Sequence, residues 1–313
     1  MVSERQYLFL IGAPKAGTTS IARAFASHPE VAVADMKEPR FFTDFAERIW
    51  RGPNAESVVA SITPDWASYD AGFADRPWRL DASTDYLSCG VTPARLVSFA
   101  ERHPVKVVAI LRDPVARIIS EYQHTRRDGY QTGTLAQSLA AEDTRIADGW
   151  HPLFHHIARS RYARPVQQYR ALFGADFHVL DYHAPGGHRA IITQLAGIIG
   201  VTPQEARVPR ANVSYTPRSA TLNKLMQTDA VRGVARRILP DDLRGRVRRR
   251  AQSLNGKQYA VTQAELVTMR TALADDIAWC AADADVPTAH WSLALRAAGP
   301  VADPSRPRLV VQP

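Results

Sequence analysis

Apolar residues gather into short continuous runs at 7–12, 31–34, 79–82, 105–111 and 176–182. Runs of this kind suit strands that are buried on both faces. Between them, the segments 19–28, 91–102, 114–127, 135–148 and 160–173 carry patterns that suit helices. The alternation predicts an α/β fold: a doubly wound parallel sheet of about five strands with helices on both faces. Residues 189–285 read as a mostly helical C-terminal region. After Trp291 the sequence turns to Ala, Pro and Gly, which predicts an irregular tail over 292–313 that packs little. The expectation is one domain over 1–291 followed by that tail.

The first strand, Tyr7 to Ile11, runs into Gly12-Ala13-Pro14-Lys15-Ala16-Gly17-Thr18-Thr19-Ser20, and a helix follows from Ile21. Successive N–H groups at a strand-to-helix turn form an anion nest, and the helix N-terminus adds a positive dipole. The two glycines keep the G-x-x-x-x-G spacing of a nucleotide loop. Thr18, however, stands where a triphosphate-binding loop carries its lysine, and the lysine has moved upstream to Lys15. The anion cradle is kept and its charge rearranged, which points to an anhydride other than ATP. The alternative is a glycine turn that starts an ordinary helix.

A second candidate follows the fourth strand: Arg112-Asp113-Pro114-Val115-Ala116-Arg117-Ile118-Ile119-Ser120-Glu121-Tyr122. Asp113 is placed to cap the next helix, and Pro114 suits its first position. Arg112 then sits at the carboxyl end of a strand, where open α/β sheets bind ligands. Helical spacing puts Arg117, Ser120 and His124 on one face, and an arginine beside a hydroxyl suits a dianionic phosphate. A helix cap with a surface arginine is the competing reading.

Taken together, the two motifs resemble the sulfotransferases that use 3′-phosphoadenosine 5′-phosphosulfate. Pro14-Lys15-Ala16-Gly17-Thr18-Thr19 matches that family's 5′-phosphosulfate loop, P-K-x-G-T-T. Arg112-Asp113-Pro114 with Arg117, Ser120 and Tyr122 matches its 3′-phosphate motif, R-D-P-x-x-R-x-x-S-x-Y. The resemblance implies a P-loop-like central parallel sheet. It implies a donor held by Lys15, Ala16, Gly17, Thr18, Thr19 and Ser20 at one end and by Arg112 and Ser120 at the other. Pro217-Arg218-Ser219 is similar to a bacterial P-R-S element, so Arg218 is a further candidate for the cofactor phosphates.

Lys37-Glu38-Pro39-Arg40-Phe41-Phe42 resembles the K-E-P-x-F-F element of the bacterial and heparan-sulfate-type branch, in which the glutamate is the implied general base. The K-x-H-L-P-like context of the cytosolic phenol and steroid branch is not found. Asp81-Ala82-Ser83-Thr84-Asp85-Tyr86 takes the place of that branch's E-K-S-x-x-Y element, but Asp81 replaces glutamate and Ala82 stands where lysine is common. That departure argues against a polyanionic sugar acceptor. Ser160-Arg161-Tyr162 and Phe177 to Tyr182 are similar to the family's R-Y and V-L-x-Y-E segments.

The implied reaction is direct in-line transfer of a sulfuryl group to the hydroxyl of a small-molecule, glycosylated, carbohydrate or lipid acceptor. Glu38 would take the acceptor proton, its pKa raised by burial. Lys15 would stabilise charge on the leaving phosphate, so no metal is called for. His124 is the runner-up acid or base. Two other readings stay open. A P-loop kinase or nucleotide hydrolase would need a lysine after Gly17 and a strand-end metal carboxylate, for which Asp81 is the candidate. The other is a non-catalytic nucleotide-binding module of the same fold. His151, His155 and His156 lack the acidic partner of a helical metal motif. Trp66, Trp78 and Trp150 read first as packing residues.

Composition changes this picture little. A hydrophobic fraction of 45% is ordinary for a soluble globular chain of 313 residues, and no apolar run reaches membrane-span length. Cys89 and Cys280 lack metal-ligand spacing, which with the plain N-terminus suits a reduced, cytoplasmic protein. The net charge of +8 is uneven. Arg232, Arg236, Arg237, Arg244, Arg246, Arg248, Arg249 and Arg250 oppose only Asp241 and Asp242. This excess argues against uniform nucleic-acid affinity. It reads as a solvated helical face or as a rim for an anionic acceptor, nucleotide or membrane surface.

Overall fold

The computed structural model describes residues 5–204, 216–217, 256–257 and 259–294. Five parallel strands form the centre: β1 (Gln6–Gly12), β2 (Val31–Val33), β3 (Trp78–Asp81), β4 (Val105–Leu111) and β5 (Phe177–Asp181), in the order β2-β3-β1-β4-β5. β1 lies in the middle, with Leu8 opposite Leu80 of β3 and Lys106 of β4. Tyr7 to Ile11 and Val107 to Leu111 are fully buried, as strands covered on both faces must be. The strands fall within one or two residues of the runs read from the sequence.

The helices between the strands are α1 (Thr18–Phe25), α2 (Ala55–Ala60), α3 (Trp66–Ala71), α4 (Thr92–Ala100), α5 (Pro114–Arg127), α6 (Leu135–Ala140), α7 (Glu142–Ala147) and α8 (Ala163–Phe173). After β5 come α9 (Gly187–Ile199), α10 (Gln263–Ala272) and α11 (Ala274–Ala282). The segment 135–148, expected as one helix, is two. α2 and α3 are too short to show an amphipathic period in the sequence. α1 packs on α9 and α4 on α8, one pair for each face of the sheet. No helix among the described residues is long and apolar enough to cross a membrane.

The connections leaving β1 and β4 run in opposite directions along the sheet, so the switch point of the topology falls between these two strands. The loops that follow β1 and β4, carrying Lys15 and Arg112, therefore flank one crevice. This is the structural reason the two motifs meet although 97 residues separate them.

Asp113 secures the β4 side. One carboxylate oxygen accepts from Val115 N and Ala116 N at 2.9 and 3.0 Å and caps α5, as the sequence predicts. The other accepts from Leu293 N and Ala294 N at 2.7 and 3.0 Å. Leu293 and Ala294, expected in a loosely packed tail, are instead buried together with Trp291. Residues 295–313 of that tail lie outside the described residues, as do Arg218 and the arginines of 232–250. Asp113→Ala should lower stability by about 2–4 kcal/mol, through the lost cap and the two lost amide bonds. Urea unfolding at pH 7 measures this, and a loss under about 1 kcal/mol would contradict the double role.

Candidate active site

A cavity of about 360 Å³ opens at the carboxyl ends of the strands. One side is built by the β1 loop and the start of α1. Gly17 precedes the helix at φ 74°, a conformation that disfavours any side chain. A Cβ placed there would come within 2.3 Å of His188 Nε2 and 3.1 Å of the Tyr182 ring. Lys15 also lies in the left-handed region, at φ 71°, which a lysine adopts at a cost. No side chain caps α1; Ser20 N and Ile21 N donate to Gly17 O at 2.9 and 3.2 Å, which leaves the N–H groups of Thr18 and Thr19 beside the cavity that Thr18, Thr19 and Ser20 line. Ala16 is buried behind the loop, its N–H donating to Ala13 O at 3.1 Å, and it does not line the cavity.

Arg112 closes the other edge of this half. Tyr162, buried, donates its hydroxyl to the Arg112 carbonyl at 3.0 Å. The guanidinium lies 4.9 Å from the centre of the Tyr182 ring and donates from Nη1 to Lys15 O at 2.9 Å. Arg112 is 5% exposed, and its Nε, like that of Arg159, has no hydrogen-bond partner among the described residues. Burial, together with the charges of Arg127, Arg112 and Lys37, lowers the pKa of Lys15 to about 7 against the opposing pull of Glu121. Two cations without a carboxylate partner thus face the same space.

The opposite wall is arranged differently. Glu38 accepts from Lys37 Nζ at 2.6 Å, from Arg40 Nη2 at 3.2 Å and from Thr84 Oγ1 at 3.3 Å. Arg40 Nε donates to Asp85 at 2.6 Å, and Asp85 in turn pairs with Arg159. Arg159 and Arg117 each donate to Glu121 at 2.7 Å. A chain of alternating charge therefore runs from Glu38 to Arg117, largely out of water. Arg159 is set in place by Glu142, whose carboxylate accepts from Ile157 N and Ala158 N, both at 2.8 Å.

The structure brings Lys15, Gly17, Thr18, Thr19, Ser20, Glu38, Arg112, Ser120 and His124 around one cavity. It separates Arg117 from them. Expected on one face with Ser120 and His124, Arg117 is fully buried against Glu121, Ser160 and the His156 carbonyl. His124 Nδ1 lies 3.1 Å from Asp128 and 2.7 Å from Arg127 Nη2. Burial and the nearby Lys15 lower its pKa against the opposing pull of Asp128. Asp81, the candidate metal carboxylate of a kinase reading, is buried and does not line the cavity. It accepts from Tyr69, Tyr86 and both the N–H and hydroxyl of Ser83.

The remaining candidates resolve simply. His151 bonds to the Pro53 carbonyl at 2.7 Å, and His156 lies between Glu121 and Ser138. Trp66, Trp78 and Trp150 do not line the cavity. Sequence reasoning missed Asp85, Arg127, Arg159 and His188 as cavity residues. In the Ser160-Arg161-Tyr162 segment it pointed to Arg161, which is exposed, whereas the neighbouring Arg159 is the buried ion-pair partner.

A crystal structure titled as a sulfotransferase from Alicyclobacillus acidocaldarius superposes with a TM-score of 0.60 and 28% identity. The match covers 67% of this chain and 86% of that one. The chain has the fold of a sulfotransferase. Two further matches are the sulfotransferase domain of the Synechococcus PCC 7002 olefin synthase and that of the curacin biosynthetic pathway. The first has a TM-score of 0.39 at 16% identity and covers 68% of this chain and 80% of that one. The second has a TM-score of 0.37 at 12% identity and covers 67% and 81%. No family model matches the sequence, and no curated protein matches it. In this sulfotransferase fold the paired wall and the unpaired cations share one cavity.

Replacing Arg159 by methionine leaves Glu121 and Asp85 each short of a buried counter-charge. The expected loss is about 3–5 kcal/mol in chemical denaturation. Lys106→Gln, which removes an exposed pair with Asp176, should cost under about 1 kcal/mol in the same assay. Equal effects would show that burial does not set the worth of the Arg159 pairs.

Proposed function

We propose that the protein is a sulfotransferase that moves a sulfuryl group from 3′-phosphoadenosine 5′-phosphosulfate to an acceptor hydroxyl, in the manner of the bacterial and heparan-sulfate-type branch. The observation that carries this is Arg112: buried, tethered to the Lys15 carbonyl, and lining the cavity beside Lys15 with no carboxylate in salt-bridge contact among the described residues. Such a cavity fits a ligand with anionic groups at both ends. The β1 loop would hold the phosphosulfate end through Lys15, Gly17, Thr18, Thr19 and Ser20. Arg112 and Ser120 would hold the 3′-phosphate, and Tyr182 and His188 stand beside that path.

The nucleotide supplies the activated sulfuryl group. Transfer forms one S–O bond at the acceptor and breaks the S–O bond to the 5′-phosphate. Glu38 receives the acceptor proton; its position on the wall is fixed by Lys37, Arg40 and Thr84. Lys15 places positive charge where the leaving phosphate gains negative charge. The loop N–H groups orient the donor so that little reorganisation is needed at the moment of transfer. His124 is the second candidate for the proton, on the observation that Asp128 orients its ring at the cavity wall.

Addition of 3′-phosphoadenosine 5′-phosphate should raise the melting temperature, and Arg112→Ala should remove most of that shift. A shift with ATP and Mg²⁺ but none with this nucleotide would overturn the reading. Glu38→Gln should lower kcat about 10²- to 10⁴-fold with nucleotide affinity retained. If His124→Asn instead abolishes the pH dependence of kcat while Glu38→Gln does not, the base is His124.

The Lys15 shift gives a signed pH prediction. Its folded pKa of about 7 lies below the usual 10.5, so between these values the unfolded chain holds a proton that the folded chain has released. Stability of the free protein therefore rises with pH across this window. A bound anion restores the ammonium, so nucleotide binding at pH 8 should take up a proton. Calorimetry in buffers of different ionisation enthalpy measures it, with uptake expected in the wild type and absent in Lys15→Met. No uptake in the wild type would remove Lys15 from the anion site.

A further inference from the structure

The two halves of the cavity differ in how their charges are satisfied. Toward β1 and β4, Lys15 and Arg112 have no carboxylate in salt-bridge contact among the described residues. Across from them, every lining cation already has one. Lys37 meets Glu38 at 2.6 Å, and Arg40 meets both Glu38 and Asp85. Arg159 meets Asp85 and Glu121. The rest of that wall is uncharged. Asn54 and Ser57 offer an amide and a hydroxyl, while the Ser61 hydroxyl is taken up by Val58 O and Arg40, and Phe45, Val58 and Leu153 offer apolar contact.

An anionic group entering this half would be desolvated beside Glu38 and Asp85, with each nearby cation already engaged. Its own hydration would be lost without a new partner in return. A neutral molecule meets no such penalty. It gains hydrogen bonds on one edge and apolar contact on the other.

Resting on the function proposed above, we infer that the acceptor is an uncharged, amphipathic hydroxyl compound such as an alkyl or aryl glycoside. The balanced wall excludes acceptors that carry a carboxylate, phosphate or sulfate near the reacting hydroxyl. The exclusion is of the kind that gives specificity by penalising the wrong partner.

The test uses the full chain, sulfate-labelled donor and a matched pair of acceptors: an aryl glucoside and the glucuronide of the same aglycone, which adds one carboxylate. Mass spectrometry reads sulfate incorporation. The glucoside should lead in kcat/KM by at least about tenfold. Ser57 is exposed at the mouth of this half. Ser57→Lys should narrow the ratio by about threefold and Ser57→Glu should widen it. Equal or faster sulfation of the glucuronide overturns the inference, as does a ratio that neither variant moves. If the protein binds 3′-phosphoadenosine 5′-phosphate but sulfates neither glycoside, the acceptor assignment falls while the donor assignment stands. If it does not bind that nucleotide, the donor reading fails first.

Discussion

Glu121 sits on a helix with almost no contact with water, and a carboxylate in that position has to be matched by positive charge. Arg117 supplies it from one turn earlier, and Arg159 supplies it from the short turn before α8. Together with a hydrogen bond from His156, they hold the Glu121 carboxyl well below the usual carboxylate range despite its burial. Arg159 is itself too buried to serve one carboxylate alone and also binds Asp85, which binds Arg40, which reaches Glu38. Four segments distant in sequence are thereby fixed to one another around the cavity floor. Desolvation makes such a chain of little net worth to stability, but a shift of any one segment would strand a charge. Its effect is to define one arrangement of the cavity wall.

The β1 side obeys the opposite rule. There the backbone takes a left-handed conformation at both Lys15 and Gly17, helix α1 begins without a side-chain cap, and Arg112 keeps a buried N–H without a partner. An anionic ligand would supply acceptors to the Arg112 guanidinium and to the first N–H groups of α1. Lys15, Gly17 and Arg112 stand together at the end of the cavity whose cations have no carboxylate partner among the described residues. Asp113 and Tyr162 make this tolerable: they lock the start of α5 and the carbonyl of Arg112, so the strained loop rests against a rigid neighbour.

The division between what was legible in the sequence and what was not follows the range of the interactions. The sheet was legible because burial on both faces leaves continuous apolar runs. The two anion motifs were legible because each lies next to a strand end, where fold topology already places ligands. Arg117 was misread because helical spacing fixes direction around the axis but not what packs on that side. α5 is buried almost all round, so Arg117 ends in a protein interior and Ser120 at a cavity. Asp85 and Arg159 left no local signal, since their pairing spans 74 positions. Arg159 was next to a recognised segment, but only the paired carboxylates distinguish it from the exposed Arg161.

Glu38 stands where the two rules meet. It is the last member of the charge chain and also part of the cavity wall, so the network fixes its position while the proposed reaction requires its charge to change. The order of the chain makes these compatible. A proton arriving at Glu38, as the proposed reaction requires, leaves Arg40 still bound to Asp85 at 2.6 Å. Lys37, the other cation at Glu38, has a side chain 57% exposed and is stabilised by water when its partner is neutral. The same change at Glu121 would leave Arg117 without a carboxylate partner among the described residues, and at 0% exposure water could not replace it. Glu38 can therefore take a proton without stranding a buried cation, as Asp85 also could, since Arg40 keeps Glu38 and Arg159 keeps Glu121. Asp85 and Glu121 line the cavity as well, but Glu38, with a side chain 12% exposed against their 7% and 1%, is the most open of the three.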